Sequence, residues 1–347
     1  MNRRDFLKGT AAAGAAAVLP LRVLSEDKPK RKLPPFRVRN YDRDTIKKIA
    51  LNKWSKHFDF SKVNEEYAPE LAVMIDNQDL MNDYPFSPYK DWPNIDLQKV
   101  FDVYSQFVGK DLVSVQAMTA PYDMVIYERF KYEKSNKSII LAREQEQICA
   151  KTMVLKSPYY FDSLQIADEI TREIVTDLKN NVGTKEILRL RDCVLRTHGK
   201  ILNDIHVLGC LIQRKTLRGK HDWIYTSPAM AHRIIPRHFW WNCPMGIGCV
   251  SIIGCVGILN CAYKVFVDPL FPKNEILLGR RPSPVNKGWF YDAGYQYCPY
   301  IPFTRHPNPG HVKQNWEPRF DSQLVTRRGK KMRREGSAYY ALLTVES

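Results

Sequence analysis

Apolar positions recur along this chain with two periods, and the switches between them mark out its elements. From Leu97 the spacing Leu97, Val100, Phe101, Tyr104 is that of one helical face, stopping at Gly109; Leu112 to Gln116 then alternates apolar with polar or small residues, as a half-buried strand does. A second strand is predicted from Met124 to Tyr132. The polar, charged segment from Glu133 to Glu146 carries few core positions and reads as a projecting loop or hairpin. Two helices follow. Asp162, with Gln165 three residues on, makes a capping box ahead of a stripe at Leu164, Ala167, Ile170, Ile174 and Leu178, which ends before Asn181 and Gly183. A longer helix is predicted to open at Thr184, with Ile187, Leu190, Val194, Ile201, Ile205 and Leu208 on its buried face. At ~1.5 Å per residue that face runs roughly 36 Å, enough for the spine of a domain. After Trp223 the pattern is strand-like: Trp223 to Thr226, Lys264 to Val267, Ile276 to Leu278, Tyr295 to Phe303, and Tyr339 to Val345. No internal repeat of twenty to fifty residues interrupts this order.

The 347 residues leave room for one large domain or two ordinary ones, with chain enough to bury a core without disulfides. Hydrophobic residues at 44% and charged residues at 26% exclude a wholly disordered chain, a collagen and a small cysteine scaffold. Charge changes the picture more. The net charge of +16 is concentrated at the ends: ten Lys or Arg against three acids from Met1 to Arg39, and six basic residues in eight at Arg327, Arg328, Lys330, Lys331, Arg333 and Arg334. Such clusters hold phosphate by counterion release without reading sequence; a pair of solvated tails or an intersubunit ion-pair zone accounts for them as well. Residues 21 to 40 read as an extended basic arm, because consecutive prolines cannot continue a helix and the charges repel. Residues 41 to 93 mix short helical stretches with Pro-rich loops.

Candidate chemistry is sparse. Asn2-Arg3-Arg4-Asp5-Phe6-Leu7-Lys8, followed by the small-residue run Gly9 to Val18, looks like a twin-arginine export signal, although no Ala-x-Ala precedes a polar residue and the run is too short to span a bilayer. Cys243, Cys249, Cys255 and Cys261 recur every six residues. Successive members lie ~20 Å apart in a strand and turn by about 240° in a helix, so the series is expected to pack as small hydrophobes rather than hold one metal. The 25 residues from Phe239 to Tyr263 carry no charge, but Pro244, Gly246, Gly248, Gly254 and Gly257 weaken a single spanning helix, and a buried, loop-rich β region is expected instead. His198 reads as a core residue; His232, His238, His306 and His311 lack the flanking acids of a metal or catalytic motif. With no phosphate loop, no Gly-x-Gly-x-x-Gly and no Gly-x-Ser-x-Gly, neither a catalytic residue nor a cofactor or metal ligand is assigned.

Read in order, the elements of this α+β chain resemble the major capsid protein of tailed bacteriophages, in the T-even-type branch of the family that folds like the HK97 shell subunit. Four segments carry the resemblance, over roughly the last 250 residues. Phe107 to Pro121, with Val115-Gln116-Ala117-Met118-Thr119-Ala120-Pro121 at its end, is similar to the family's "VQPMTGP" strand and turn. Ala150 to Lys156, running on to Asp177-Leu178, is similar to the strand that leads into the peripheral helices. Lys264 to Pro269 with Ile276 to Gly279 resembles the "KVYVDPYA…VGYKG" strands, and Tyr291 to Pro302 resembles "AGVFYAPYVPL". The chain departs from the family in its shorter length, its cysteine series and its twin-arginine start.

The resemblance implies a subunit of hexamers and pentamers in an icosahedral shell enclosing double-stranded DNA, without catalysis, bound non-specifically to packaged DNA and working with a scaffold, a portal and a prohead protease; it implies no membrane. The virion would be its location, after assembly in the host cytoplasm. It implies a division into a signal-like, basic segment 1–40 that is removed or disordered, an N-terminal arm 41–96 that clasps a neighbour, a peripheral domain 97–222 with an extended loop at 133–146 and a spine helix at 184–209, an axial domain 223–286, and return strands to the peripheral domain at 287–347. Lys134, Lys137, Arg143 and Glu144 are the expected contacts of the extended loop, and the 327–334 cluster faces DNA or a neighbouring subunit. T-even-type precursors are cut after Glu in an Ile/Leu-x-Glu setting, and Leu24-Ser25-Glu26 fits, so cleavage is expected at Glu26. The same fold builds encapsulin compartments. Two rival readings from other classes are a twin-arginine-exported periplasmic binding or redox protein using the cysteines, and a basic nucleic-acid-binding module.

Overall fold

The computed structural model describes residues 42–82, 96–133, 137–158, 162–189, 197–217, 221–235, 253–259, 263–280, 294–307, 322–332 and 335–346. The expectations for residues 1–40, including Glu26, lie outside them. In chain order the elements are α1 (Arg43–Trp54), a 3-10 turn (Phe60–Lys62), α2 (Ala68–Asn82), α3 (Leu97–Gln106), α4 (Gly109–Leu112), β1 (Ser114–Val115), β2 (Tyr122–Glu133), β3 (Ser138–Cys149), β4 (Lys151–Pro158), α5 (Ser163–Asn180), β5 (Thr184–Arg189), α6 (Thr197–Thr216), β6 (Trp223–Thr226), α7 (Pro228–Ile234), β7 (Gly254–Leu259), β8 (Tyr263–Val267), β9 (Glu275–Gly279), β10 (Tyr295–Pro307), β11 (Ser322–Met332), a 3-10 turn (Gly336–Tyr339) and β12 (Tyr340–Glu346).

Three sheets organise these elements. A six-stranded sheet runs in the order β5-β12-β9-β6-β8-β7, a four-stranded one in the order β1-β10-β11-β4, and β2 with β3 forms a separate two-stranded ribbon. The six-stranded sheet is covered on both faces. Its alternate residues go to different cores: Trp223, Tyr225, Phe266, Leu277, Tyr340 and Leu342 join α2, α3 and α5 in the larger one. Ile224, Val265, Ile276, Leu278, Leu343 and Val345 join Ile201, Ile205, Leu208 and Ile212 of α6 in the smaller one. Burial on both faces is why these strands read as continuous apolar runs rather than as alternation. At the β6–β9 pairing Trp223 stands opposite Gly279, and a Cβ at 279 would sit 1.9 Å from the indole, so only glycine leaves room for the ring. The indole N–H in turn donates to Leu112 O at 3.1 Å, tying the sheet to the chain ahead of β1.

Several expectations are corrected here. The spine helix predicted at 184–209 does not begin at Thr184: residues 184–189 are strand β5, paired in parallel with Ala341–Glu346, and the helix starts at Thr197. Helical spacing of Ile187 was misleading because the strand is a sheet edge and Ile187 stands exposed. Residues 43–82 are not an arm. Helices α1 and α2 pack in the larger core, and α2 is buried through its polar positions also: Glu70 accepts the Ala117 N–H at 2.7 Å and pairs with Lys47, Asp76 pairs with Lys53 at 2.9 Å, and Gln78 accepts the Phe303 N–H at 2.9 Å. A helix buried on every side has no apolar stripe to read. The return strands divide: β10 and β11 lie in the four-stranded sheet, but β12 joins β5 and β9 in the other. Leu112 closes the short helix α4, which shortens the strand expected at 112–116 to Ser114–Val115. Asp162 caps α5 without a side-chain hydrogen bond, so the capping box is not formed.

Candidate functional site

The most distinctive feature outside the cores is the ribbon. Its strands pair antiparallel in unbroken register from Tyr122–Cys149 to Glu133–Ser138, twelve residues on each side, so the projection expected at 133–146 begins eleven residues earlier and continues to Cys149. At ~3.4 Å per residue each strand is roughly 40 Å long. Lys137, exposed and with φ of 48°, sits at the turn. Lys134 lies outside the described residues. Glu144 is half-buried, and the register places it opposite Tyr127, as it places Arg143, whose side chain is not described, opposite Glu128.

Sequence reading singled out the charges and missed the apolar positions. Tyr132 and Ile139 face each other across the ribbon near its tip and are 55% and 53% exposed; Tyr122 and Met124 near the root are also exposed. All four share one face of the pleat, because residues of β2 at even numbers point the same way. The period-2 pattern was the available signal, masked by charged residues interleaved on both faces, Glu128 and Arg143 on this one. At the root, the ribbon is held to the body. Arg43 donates to Ala117 O at 2.6 Å and to Met124 O at 2.8 Å, and Asp123 accepts the Thr119 N–H at 2.8 Å. Val125 and Ile148 are buried with Met118 and Cys298, and burial pushes the Cys298 thiol up to about 12. Lys331 pairs with Glu146 on the β3 side.

Exposed apolar residues at the tip and a fixed root are the arrangement of a contact arm. Replacing Tyr132 and Ile139 with serine removes the exposed half of two apolar side chains from any contact they make, about 2 kcal/mol, which is roughly a thirtyfold weaker association. Sedimentation of the double variant at graded concentrations measures it; the isolated chain is expected to melt as the parent does, and unchanged association would exclude the tip from the contact.

The basic cluster is not one surface. Arg328 is 1% exposed: its guanidinium pairs with Glu173 of α5, donates to Tyr297 Oη at 3.2 Å and lies over the Tyr297 ring, and burial draws its pKa downward. Lys330 bridges Glu173 at 3.0 Å and Asp177 at 2.7 Å, and Asp177 also accepts the Tyr295 hydroxyl at 2.7 Å. Arg328 therefore faces neither DNA nor a neighbouring subunit, because β11 is an interior strand of its sheet and this position points at α5. Lys330 and Lys331 are partly exposed but paired within the chain. The side chain of Arg327 and the whole of Arg333 and Arg334 lie outside the described residues.

A second polar node joins α5 to the six-stranded sheet. Asp268 accepts two bonds from Arg172 Nε at 3.0 and 3.2 Å, one from Arg172 Nη2 at 3.0 Å, the Tyr225 hydroxyl at 2.9 Å and the Leu270 N–H at 3.0 Å. One helical turn before Arg172, Asp168 accepts the Ile253 N–H at 3.2 Å; burial and then the nearby Asp268 raise its carboxyl to about 6 against the pull of the Ile253 N–H and of Arg172. Asp168 and Asp268 share one guanidinium, but no nucleophile or open cleft adjoins them among the described residues.

The remaining candidates divide in the same way. Cys255 is exposed on β7, contrary to the expectation that the series packs in the core, because Gly254–Leu259 is the edge strand of its sheet. Cys243, Cys249 and Cys261 lie outside the described residues, as do the side chain of His198 and most of the charge-free stretch. His221 is buried with its ring stacked on Tyr263, centroids 4.1 Å apart. Among the described residues no group of three His, Cys, Asp or Glu is placed to hold a metal ion, and no helix is long and apolar enough to cross a membrane.

Comparison with known proteins gives two matches to families. Residues 163–320 match the major capsid protein Gp23 family, and residues 1–20 match the twin-arginine translocation signal. No curated protein matches. Similar solved structures include a virus-like particle from Pyrococcus furiosus, 9% identical over 71% of this chain and 95% of that one with a TM-score of 0.38. The capsid structure of cyanophage P-SCSP1u is 7% identical over 70% and 88%, with a TM-score of 0.36. A structure from Mycobacterium phage Bobi is 8% identical over 71% and 90%, with a TM-score of 0.40.

Proposed function

We propose that the chain is a major capsid protein of the Gp23 type, whose family model it matches over residues 163–320, and that it polymerises as hexamers and pentamers into an icosahedral shell of HK97-like architecture that encloses double-stranded DNA. The observation that carries the assembly reading is the β2–β3 ribbon. It is anchored in the body by Arg43 and Lys331 and ends in an exposed apolar pair that has no place in the chain's own core. A heterologous contact of this kind, repeated with a closing rotation, makes rings and shells in which stability belongs to the assembly.

In this reading the protein performs no catalysis, and its partners are copies of itself together with a scaffold, a portal, a prohead protease and packaged DNA. The mature subunit belongs to the virion, and assembly proceeds in the host cytoplasm. The basic segment before Asp42 together with Arg327, Arg333 and Arg334 are the remaining candidates for non-specific phosphate contacts, since Arg328 is committed to Glu173. Negative-stain microscopy of the expressed chain, with scaffold supplied, is expected to show closed shells; a monomer under all conditions would overturn the proposal.

The signal match at residues 1–20 favours a second reading, export to the periplasm as a binding or redox protein. Cleavage after Glu26 reconciles that match with a capsid, because it removes the whole signal-like segment before the shell matures. Intact-mass measurement on purified particles is expected to give a subunit beginning at Asp27. A chain found in the periplasm with a metal bound, and never in particles, would support export instead.

A further inference from the structure

We propose that two buried glutamines, Gln116 and Gln296, form a clasp that sets the angle at which the β2–β3 ribbon leaves the body, a positioning role that rests on the capsid reading above. Gln116 follows β1 directly and is fully buried; its own N–H donates to Tyr297 O at 3.0 Å, which fixes its backbone to β10. Its side chain turns the other way, to the edge of β2 that β3 does not occupy. There Nε2 donates to Ile126 O at 2.6 Å, and Ile126 N–H donates to Oε1 at 3.1 Å. One carboxamide thus meets the N–H and the C=O of one residue through its acceptor and its donor, which reproduces a rung of an antiparallel ladder with a side chain in place of a strand. Gln296, paired with Ser114 in the β1–β10 register and also buried, adds a third bond from Nε2 to Ile126 O at 3.2 Å.

The position of the clasp gives it leverage. The Arg43 bonds end at Met124; the clasp grips Ile126, two residues further out, leaving seven residues of β2 beyond it. Those seven extend roughly 24 Å, so a 10° change in the root angle moves the tip by roughly 4 Å, the difference between contact and no contact for Tyr132 and Ile139. A two-stranded ribbon has no face-to-face packing of its own to resist such bending. The bonds at Ile126 are part-buried on the side of the two buried glutamines, and a peptide group there stripped of its partners is costly, so the clasp holds one angle rather than a range of them.

The test replaces Gln116 with methionine, which keeps the volume and removes both bonds, in the full-length chain. Amide hydrogen exchange at Ile126 is expected to rise at least tenfold in Q116M while the amides of β6 and β9 keep their protection, and the variant's particles are expected to spread in diameter or to stay open where the parent gives one closed size. Q296M, which removes a single bond, is expected to accelerate exchange at Ile126 by about threefold and serves alone if Q116M does not fold. Parental protection of Ile126 in either variant overturns the clasp. Faster exchange with shells of the parental single diameter overturns its positioning role. A parent chain that makes no shells removes the capsid reading instead, and exchange at Ile126 then decides the clasp by itself.

Discussion

Arg328→Ala is expected to lower the unfolding free energy by about 3 kcal/mol, while Arg328→Met stays within about 1 kcal/mol of the parent. Both variants lose the same ion pair, so the difference isolates what the side chain does besides carrying charge. The guanidinium is buried against the Tyr297 ring, in a place where burial already works against its charged form. Taking the charge out of water is a cost that the Glu173 contact offsets, and removing both charge and contact is therefore close to neutral when the volume is kept. Glu173 is not stranded, because Lys330 still holds it at 3.0 Å. Alanine leaves a hole against the Tyr297 ring at one of the largest fully buried side chains. Urea denaturation of the three chains measures this. Equal losses in the two variants would show that the ion pair itself is the stabilising element.

What could be read from the sequence, and what could not, follows the range of the interaction involved. Strands β6, β8 and β9 were legible because burial on two faces is written locally as an unbroken apolar run such as Ile276-Leu277-Leu278. Helix α5 was legible from its own stripe. Strand β5 was not: its six residues become a strand only by pairing with Ala341–Glu346, more than 150 positions later, and nothing within 184–189 distinguishes them from the start of a helix. Helix α2 failed for the opposite reason, since Glu70, Asp76, Asn77 and Gln78 look solvated until their partners at Lys47, Lys53, Met118 and Phe303 are brought to them by the fold. At the candidate contact surface the charged residues were named and the apolar pair was missed. Tyr132 and Ile139 become neighbours only once the turn between them fixes the register. Arg328 belongs to the same class of error, for six bases in eight residues read as one patch, whereas alternation in a strand sends consecutive side chains to opposite faces.

Asp168→Asn is expected to stabilise the protein at neutral pH, by between about 1 and 3 kcal/mol, and to remove a pH dependence that the parent carries. The Asp168 carboxyl is almost wholly buried, with Asp268 nearby and only one guanidinium between them, and its pKa in the fold is raised to about 6 from an ordinary value of 3.8. A group raised in this way binds its proton more tightly folded than unfolded. Between pH about 4 and about 6 the folded chain therefore holds a proton that the unfolded chain has released, and stability falls as pH rises through that window and is level above it. The rise from 3.8 to about 6 sets an upper bound of about 3 kcal/mol at neutral pH. Asparagine keeps an acceptor for the Ile253 N–H and leaves the bidentate Arg172–Asp268 pair and the Tyr225 bond intact; the attraction to Arg172 at 3.8 Å that it gives up is already contained in the net rise, and what brings the gain below the bound is an amide NH2 standing where a carboxyl oxygen faced that guanidinium. Subtracting the stability of the variant from that of the parent at each pH cancels the titration of every other group. The difference is expected to become more negative from pH 4 to pH 6 and then to hold constant; a difference that is flat, or that rises, would mean that Asp168 is ionised in the fold as easily as in the open chain.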